Sequence, residues 1–533
     1  MLAFADLLDR LVYATARNAK IVLIADYLKR TPDPDRGWAL AALPDGLPGA
    51  RPVRRVLAEL MAERIDPELY RLSRDYVGDT AETVALLWPE PAVPTLSREP
   101  PPSLSDVVQA LAASSPVTLS LQLSGWLDRL DPNGRWALLK LMTGAPRVGV
   151  SARLTKTAVA GLGPVEPDEI EGVWHGLSPP YLPLFAWLEG RAARPDVSGV
   201  PVFRPMMLAH PLEPADLASL VVGEYAPEWK WDGIRVQVVA VGGDVRLYAR
   251  SGDDIGRSFP EIIAAFHGVE AVLDGELLVL RDGVVAPFND LQQRLNRKTV
   301  SRRALAEFPA HVRLYDALEI AGEDLRPLAL DHRRQRLEAW FAAAGPAGAD
   351  LSPQIAVTTR EELQALWSGA RAGGIEGLML KRRASPYLPG RPKGHWWKWK
   401  RAALTVDCVL MYAQRGSGKR SSFYSDYTFG VWRPAAADGV PELVPVGKAY
   451  SGFSDAELVE LDRFIRNNTI DRFGPVRAVA PKLVLEVAFD AVQRSARHKS
   501  GVAMRFPRIH RIRWDKPAAD ADQLSGLQRL IGQ

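Results

Sequence analysis

Cysteine is almost absent from the 533-residue chain, in which Cys408 is the only one. A single cysteine excludes an intrachain disulfide and any zinc site built from several cysteines. The eight histidines include no HExxH pair, the helical zinc motif of many metalloproteases. The chain also lacks a run of about 18 consecutive apolar residues, which a membrane-spanning helix requires. We therefore expect a soluble, cytoplasmic protein with no membrane partner.

The overall composition is that of a globular protein with several cores. Hydrophobic residues make up 47% of the chain and charged residues 24%, which is ordinary for globular domains. At about 150 residues per domain, the length predicts three or four domains and excludes a single small binding module. The net charge of +4 hides where the charges lie, so it does not identify a partner.

The apolar pattern divides the chain into three regions. In residues 1–200, apolar positions such as Leu7 and Leu11 recur at helical spacing. In residues 201–402, short β-like runs alternate with helix-like stretches, which predicts a mixed α/β domain. In residues 403–533, strand-like runs separated by Gly, Ser and Pro predict a compact β-barrel. The predicted fold is thus multidomain, α + α/β + β, with these three regions as its domains.

Basic residues are concentrated in a few segments. Residues 371–402 contain nine Lys or Arg against one acid, Glu376, and a second basic stretch covers residues 294–303. Such clusters favour a phosphate-rich partner, although an isolated run is more often a solvated surface. The loop 415–427 fits contact with a DNA backbone and fits a flexible solvated loop equally well.

The segment EWKWDGIR, residues 228–235, contains a candidate nucleophile. Lys230 lies between Trp229 and Trp231 and is followed by Asp-Gly, so partial desolvation would favour the neutral amine that nucleophilic attack requires. The alternative is an exposed lysine on a strand. KxDGxR is too short to be specific alone, so the choice between a nucleophile and an exposed lysine depends on the segments that follow it.

Five further segments follow in a fixed order: LDGELLV (273–279), VRLYDALEI (312–320), GIEGLMLKR (374–382), WWKWK (396–400) and RFPRIHRIRWDK (505–516). With EWKWDGIR they resemble motifs I, III, IIIa, IV, V and VI of the covalent nucleotidyltransferase superfamily, which contains polynucleotide ligases and mRNA capping enzymes. Six ordered matches over about residues 200 to 516 make the resemblance specific.

The resemblance implies roles for the motif residues. Lys230 would attack the α-phosphorus of ATP, Glu228 would receive the adenine amino group, and Arg235 would contact ribose or a substrate phosphate. Glu276 would bind ribose hydroxyls or a metal, and Glu376 would be the principal metal carboxylate; the alternative for both is a surface acid at a strand end. Their hard oxygen ligands suit Mg²⁺, with Mn²⁺ as the second choice.

Further nucleotide contacts follow from the same resemblance. Tyr315 stands where the family often has phenylalanine, and either ring can stack on a purine. Lys398 and Lys400 alternate along WWKWK, so a strand would direct both toward the phosphates; a lysine-rich outer strand is the alternative. Arg250, in YARSGDD, resembles the arginine that engages the 5′-phosphate of a nick, and we also expect it near ATP. Motif VI would close over the triphosphate through Arg511, Arg513 and Lys516.

Three features favour a DNA ligase within the superfamily. A helical region of about 200 residues precedes PMMLAHPL (205–212) and resembles the DNA-binding domain of ATP-dependent DNA ligases. RFPR leads into motif VI as it does in ligases, and a glutamate two residues before the lysine matches enzymes that use adenylate. The whole chain therefore resembles the stand-alone, three-domain bacterial ATP-dependent DNA ligases, whose C-terminal barrel is an OB-fold.

The function implied is ATP-dependent sealing of nicks in duplex DNA, through lysyl-AMP and DNA-adenylate, in DNA repair, replication or recombination. We expect a monomer that binds nicked duplex DNA. The predicted DNA contacts are Arg250, Arg294, Arg297, Lys298, Arg415, Lys419 and Arg420. The alternatives are an RNA capping guanylyltransferase, an RNA ligase, and a catalytically idle DNA-binding scaffold that keeps the fold.

Overall fold

The computed structural model describes residues 1–45, 47, 53–90, 100–144, 146–295, 297, 299–370, 375–401, 403–416, 424–434, 440–450, 452–496 and 498–531. The chain folds into two compact units. One unit comprises Met1–Tyr13, Asp45–Val148 and Ala402–Gln533, and the other comprises Ala14–Pro44 and Gly149–Arg401. The first 200 residues therefore contribute to both units.

The predicted helical region is confirmed for the described residues before 200. Its helices are α1 (Leu2–Tyr13), α2 (Arg17–Arg30), α3 (Asp35–Asp45), α4 (Arg54–Ala62), α5 (Pro67–Val77), α6 (Thr80–Leu87), α7 (Leu104–Ala113), α8 (Pro116–Arg129), α9 (Pro132–Thr143), α10 (Ala152–Ala160), α11 (Pro167–Trp174) and α12 (Leu182–Leu188). Local signals set their ends: Asp66 accepts hydrogen bonds from the amides of Glu68 and Leu69 at the start of α5, as an N-cap does. Among the described helices, none has the length and apolar content of a membrane span.

The central region is mixed α/β, as predicted. Its elements are β1 (His210–Pro211), α13 (Pro214–Ser219), β2 (Tyr225–Trp231), β3 (Ile234–Val241), β4 (Asp244–Ala249), α14 (Pro260–Ala265), β5 (Ala271–Arg281), β6 (Val284–Val285), α15 (Phe288–Gln292), α16 (Arg302–Glu307), β7 (Ala310–Ile320), β8 (Glu323–Asp324), α17 (Leu330–Ala344), β9 (Ala349–Leu351), α18 (Arg360–Gly369), β10 (Ile375–Arg382) and β11 (Trp396–Lys400).

These strands form two sheets. The larger has the order β4-β3-β5-β7-β8, with β6 beside β5 and β9 beside β7, and the smaller has the order β1-β11-β10-β2. One face of the larger sheet packs against helices, with Val238 and Leu273 in that core. The other face places Val239 and Val272 in a cluster with Trp396 of the smaller sheet. Both faces of β3 and β5 are therefore largely buried, which explains the apolar runs VVAV in β3 and LLVL in β5.

The C-terminal region is rich in β-structure, as predicted. Its elements are β12 (Leu404–Arg415), β13 (Tyr424–Arg433), β14 (Glu442–Ala449), α19 (Asp455–Asn467), β15 (Thr469–Phe473), β16 (Val476–Val479), β17 (Val484–Phe489), β18 (Ala491–Arg494), β19 (Val502–Arg505), β20 (Arg508–Arg513) and α20 (Leu524–Gln528). The main sheet has the order β14-β13-β12-β16-β15, and β17 joins β12 to β20. Cys408 lies inside its core, where it packs as a small apolar residue.

Candidate active site

One face of the smaller sheet carries most of the predicted residues. The strand register places Lys230, Gly377 and Lys400 in one row across β2, β10 and β11. The next row contains Glu228, Met379 and Lys398. Because paired residues project from the same face of a sheet, the side chains of Lys230, Glu228, Lys398 and Lys400 share one surface. Trp397 and Trp399 pack into the core on the opposite face.

The amine of Lys230 forms an ion pair with Glu376. Glu376 also receives Lys400 Nζ at 3.2 Å. A bulge separates Ile375 from Gly377 in the pairing with β2, and a Cβ atom at Gly377 would lie 2.2 Å from the Trp399 carbonyl oxygen. Only glycine fits that approach, so Gly377 lets the bulged strand place Glu376 against the amine.

A second carboxylate lies near the same amine. Glu276 lies two residues after Asp274 and four residues after Val272 on β5, so the three side chains project from the same face of the strand. Val272 shows that this face is turned to the smaller sheet. Burial raises the pKa of Glu276 to about 8, against the opposing effect of Lys230 and Arg235. A Cβ at Gly233 would lie 2.8 Å from Glu276 Cγ, so the glycine of KWDG makes room for this side chain.

The two carboxylates differ in ionisation. Burial alone would raise the pKa of Glu376, but the neighbouring amines of Lys230 and Lys400 outweigh it and hold this pKa below its ordinary value. No group of three or more His, Cys, Asp or Glu among the described residues could hold a metal ion. Two carboxylates are nevertheless enough for Mg²⁺, which usually takes its other ligands from phosphate and water. Glu276 and Glu376 therefore fit a magnesium site completed by a nucleotide.

Glu228 forms a buried ion pair that the motif reading missed. Its Oε2 lies 2.9 Å from Lys381 Nζ, and both side chains are 2% exposed. Lys381 Nζ also lies 3.9 Å from the ring centroid of Tyr315. Burial raises the pKa of Glu228, and Lys381 opposes this effect. Glu228 Oε1 has no hydrogen-bond partner among the described residues, which leaves one acceptor for a ligand beside the Tyr315 ring.

Arg235 lies in an internal network rather than at a free surface. It donates to both carboxylate oxygens of Asp274, at 3.0 and 2.5 Å, and to the Met207 carbonyl at 2.6 Å. The hydroxyls of Tyr315 and Tyr387 also donate to Asp274, at 3.1 and 2.7 Å. Arg235 and Asp274 thus fix the Tyr315 ring, and the predicted contact of Arg235 with ribose or phosphate stays a prediction.

Three arginines, Arg153, Arg250 and Arg391, line an adjacent cavity of about 440 Å³. Within the described part of the chain, the side chains of Arg250 and Arg391 make no hydrogen bond or ion pair, although the Arg391 carbonyl lies 3.0 Å from His210 Nε2. Burial lowers the pKa of Arg250, and the neighbouring charges of Arg235 and Arg391 add to this effect. Burial also lowers the pKa of Lys398, followed by the charge of Arg391. Uncompensated cations this close together favour an anionic ligand. Arg391 belongs to the basic stretch 371–402, but its role was not predicted.

The motif VI cations lie in the other compact unit and are paired there. Lys516 Nζ lies 2.7 Å from Asp407 Oδ2. Arg513 lies 2.9 Å from Asp515 and 3.4 Å from Asp407. Arg511 is 62% exposed and 3.9 Å from Asp515. Asp407 was not singled out by the motif reading.

Arg294 corrects one of the predicted DNA contacts. Its side chain is completely buried and donates to Glu261, to the Phe308 carbonyl at 2.8 Å and to the Ser258 carbonyl at 2.7 Å. A guanidinium that is completely buried and paired with Glu261 cannot reach a DNA backbone, so this prediction is wrong. The basic run was read as one exposed surface, although its first arginine points inward.

The other predicted contacts have different outcomes. Arg297 is exposed and donates to the Gln293 carbonyl at 2.5 Å. Arg415 lies 5.7 Å from the Tyr424 ring centroid, and its Nε has no partner among the described residues. Lys298, Lys419 and Arg420 lie outside the described residues.

Comparisons with known proteins define the family. The ATP dependent DNA ligase domain matches residues 206–400, and the ATP dependent DNA ligase C terminal region matches residues 420–516. A probable DNA ligase of Koribacter versatilis is 32% identical over 99% of this chain and 96% of its own. One from an Anaeromyxobacter species is 34% identical over 96% of this chain and 97% of its own.

The fold comparison agrees. The solved structure titled Pmar-Lig_Pre. superposes with a TM-score of 0.58 at 17% identity, covering 96% of this chain and 99% of its own, which shows a shared multidomain fold. The chain belongs to the ATP-dependent DNA ligases of the nucleotidyltransferase superfamily. It is an ATP-dependent enzyme that acts on DNA.

The buried pair of Glu228 and Lys381 gives a stability prediction. Lys381→Met removes the partner of a carboxylate that is 2% exposed, so we expect the free energy of unfolding to fall by about 3–5 kcal/mol. The control is Arg382→Met, which breaks the pair with Glu224, whose members are 46% and 49% exposed, and should change stability by about 1 kcal/mol or less. Urea unfolding measures both, and equal losses would refute the special role of the buried pair.

Proposed function

We propose that this enzyme seals 5′-phosphate/3′-hydroxyl nicks in duplex DNA through a covalent lysyl-AMP intermediate on Lys230. The observation that carries the proposal is the contact of the Lys230 amine with Glu376, with Glu276 close by and Lys398 and Lys400 on the same sheet face. Nucleophile, carboxylates and phosphate-binding cations are thus assembled as phosphoryl transfer requires.

Lysine adenylylation follows from these positions. The Lys230 ammonium gives its proton to water, and its nitrogen then forms a bond to the α-phosphorus of ATP. The bond from that phosphorus to the pyrophosphate oxygen breaks. Mg²⁺, held by Glu376 and Glu276, would supply positive charge to the triphosphate. Glu376 orients the amine, while Lys398 and Lys400 stabilise negative charge that builds up on the phosphates. Pyrophosphate leaves and AMP stays on Lys230.

The base lies at the other end of the same sheet face. Glu228 keeps Oε1 as an acceptor for the adenine amino group, and Lys381 fixes the carboxylate through Oε2. Tyr315, held through its hydroxyl by Asp274, supplies the stacking ring. An amino group donates to this acceptor, whereas the carbonyl that guanine presents at the equivalent position would face it unfavourably. This arrangement favours ATP over GTP.

Sealing then takes two further transfers. AMP passes from Lys230 to the 5′-phosphate of the nick, and the 3′-hydroxyl attacks that phosphate and displaces AMP. Arg250 lines the cavity described above, and we propose that its side chain binds the 5′-phosphate. We propose that residues 1–200 bind DNA, 201–402 form the adenylation domain, and 403–533 form an OB-fold whose motif VI contacts the triphosphate. A single chain carries the complete set, so we propose a cytoplasmic monomer with Mg²⁺ as its metal, acting in repair or replication.

The test measures the intact mass of the protein after incubation with Mg²⁺ and ATP, GTP or NAD in separate samples. We expect an AMP adduct from ATP alone, which disappears as 5′-phosphorylated nicked DNA is added and sealed. A GMP adduct would replace this function with guanylyl transfer. No adduct with any donor would leave a DNA-binding scaffold.

A further inference from the structure

One acidic residue of β12 contacts two of the three motif VI cations. Asp407 Oδ2 accepts from Lys516 Nζ at 2.7 Å and lies 3.4 Å from Arg513 Nη1. The Asp407 side chain is 13% exposed, and those of Lys516 and Arg513 are 24% and 22% exposed. The long, flexible side chains of Lys516 and Arg513 thus contact the same oxygen of a mostly buried carboxylate.

The strand order explains how β12 reaches motif VI. Asp407 pairs with Glu486 of β17, and Glu486 pairs with Arg511 of β20. Residues paired across a sheet share one face, and Arg513, two positions beyond Arg511, projects from that face too. Glu486 adds a weaker contact of 3.8 Å with Arg513. The sheet therefore directs acids of β12 and β17 toward the cations of β20.

The backbone of Asp407 forms hydrogen bonds with the segment that follows Lys516. Its amide donates to Asp522 Oδ2 at 2.8 Å, and its carbonyl accepts from the Asp522 amide at 2.9 Å. Trp432 Nε1 donates to the Ala518 carbonyl at 2.6 Å. These bonds hold the turn, whereas the Asp407 side chain holds only the two cations.

The Asp407 carboxylate is used unevenly. Oδ2 makes both cation contacts, while Oδ1 is buried and has no hydrogen-bond partner among the described residues. An unsatisfied buried acceptor opposes folding, so this arrangement is poorly explained by stability alone. The arrangement is explained if the role of Asp407 is to hold Lys516 and Arg513 in position.

We propose that Asp407 is a positioning residue for lysine adenylylation: it holds Lys516 and Arg513 at a fixed separation, so that both meet the triphosphate of ATP together. The proposal rests on the role of motif VI given above. Pre-ordering matters because a lysine and an arginine each lose substantial rotamer freedom when they bind, and a site formed in advance avoids that loss during the reaction.

The experiment separates the step that uses the triphosphate from the step that does not. Asp407→Asn keeps the size of the side chain and removes its charge. We expect the rate of AMP-adduct formation at low ATP to fall by about tenfold or more, with a raised KM for ATP. Sealing of a nick that already carries 5′-adenylate should stay within about twofold of wild type, because no triphosphate takes part. Asp407→Glu should recover part of the adenylation rate.

Asp490→Asn is the matched control. Asp490 follows β17 and pairs with Arg508 of β20 at 3.3 Å. This pair involves neither Lys516 nor Arg513, so both steps should stay unchanged. Equal losses in both steps of Asp407→Asn would indicate a structural role and overturn the proposal, as would an unchanged adenylation rate. Lys516→Ala provides the reference: if it leaves adenylation unaffected, the proposed role of motif VI fails as well. If Lys516→Ala slows adenylation and Asp407→Asn does not, only the positioning proposal fails.

Discussion

Replacing Lys230 with alanine should abolish the AMP adduct and reduce overall nick sealing by about a thousandfold or more. The reason is chemical: two amines contact Glu376, and that of Lys230, which belongs to the KWDG segment, is the less exposed, at 21% against 45% for Lys400. We therefore propose that Lys230 forms the phosphoramidate bond. Sealing of a nick that already carries 5′-adenylate should persist, since that step needs no lysine nucleophile. Intact mass and gel-based sealing measure the two activities.

Lys230→Arg separates charge from nucleophilicity. Arginine keeps a cation beside Glu376, but its guanidinium stays protonated, so this variant should also form no adduct while it binds nicked DNA about as well as wild type. Lys393→Ala, an exposed lysine in the same basic stretch, should form the adduct normally. An adduct on Lys230→Arg would show that Lys230 is not the nucleophile. Its loss from Lys393→Ala would show that loss of the adduct is not specific to Lys230 and would remove the support for this assignment.

The strand alternation around Lys230 could be predicted from sequence. WWKWK has a period of two, and the structure places Trp397 and Trp399 on one face and Lys398 and Lys400 on the other. The regions of helix, mixed structure and strand also follow from their apolar spacing. Local periodicity was sufficient here because it reports directly on which face of an element is buried.

Partners distant in sequence could not be predicted in the same way. Lys381 lies 153 residues from Glu228, and Asp407 lies 109 residues from Lys516. The charge of a residue indicates only that it needs an oppositely charged partner when it is buried. The strand register determines which residues come into contact. The error at Arg294 has the same origin, since the acid that neutralises it, Glu261, lies 33 residues away. A basic run therefore indicates a surface only when no acid elsewhere packs against it.

Nucleotide chemistry and stability make opposite demands on Glu276. Its burial raises its pKa to about 8, which disfavours the ionised form that a metal or ribose hydroxyls would bind. The charge of a bound metal ion would favour the ionised form again. The environment of Glu276 therefore suits the enzyme with bound metal and nucleotide better than the free enzyme. Active sites commonly sacrifice stability in this manner.

Glu276→Gln should therefore lower the rate of lysine adenylylation by about a hundredfold or more and yet raise the stability of the free protein. In wild type, the unfolded chain ionises this carboxyl near its ordinary pKa of 4.5, whereas the folded protein keeps it protonated up to about pH 8. Wild-type stability thus falls as pH rises between these values, by at most about 1.4 kcal/mol per pH unit. Glutamine has no such loss, so the difference in melting temperature should grow from pH 5 to pH 8 and then level off.

The measurement is thermal unfolding of both proteins at several pH values, without nucleotide or divalent metal. Glu270→Gln is the control, because Glu270 is exposed just before β5 and its replacement should leave both the pH profile and the adenylation rate unchanged. Adding Mg²⁺ and ATP should stabilise wild type more than Glu276→Gln, since ligands that bind only the folded protein raise its stability in proportion to affinity. A melting difference that is constant with pH would mean that Glu276 is ionised in the free enzyme, and full activity in Glu276→Gln would remove it from the site.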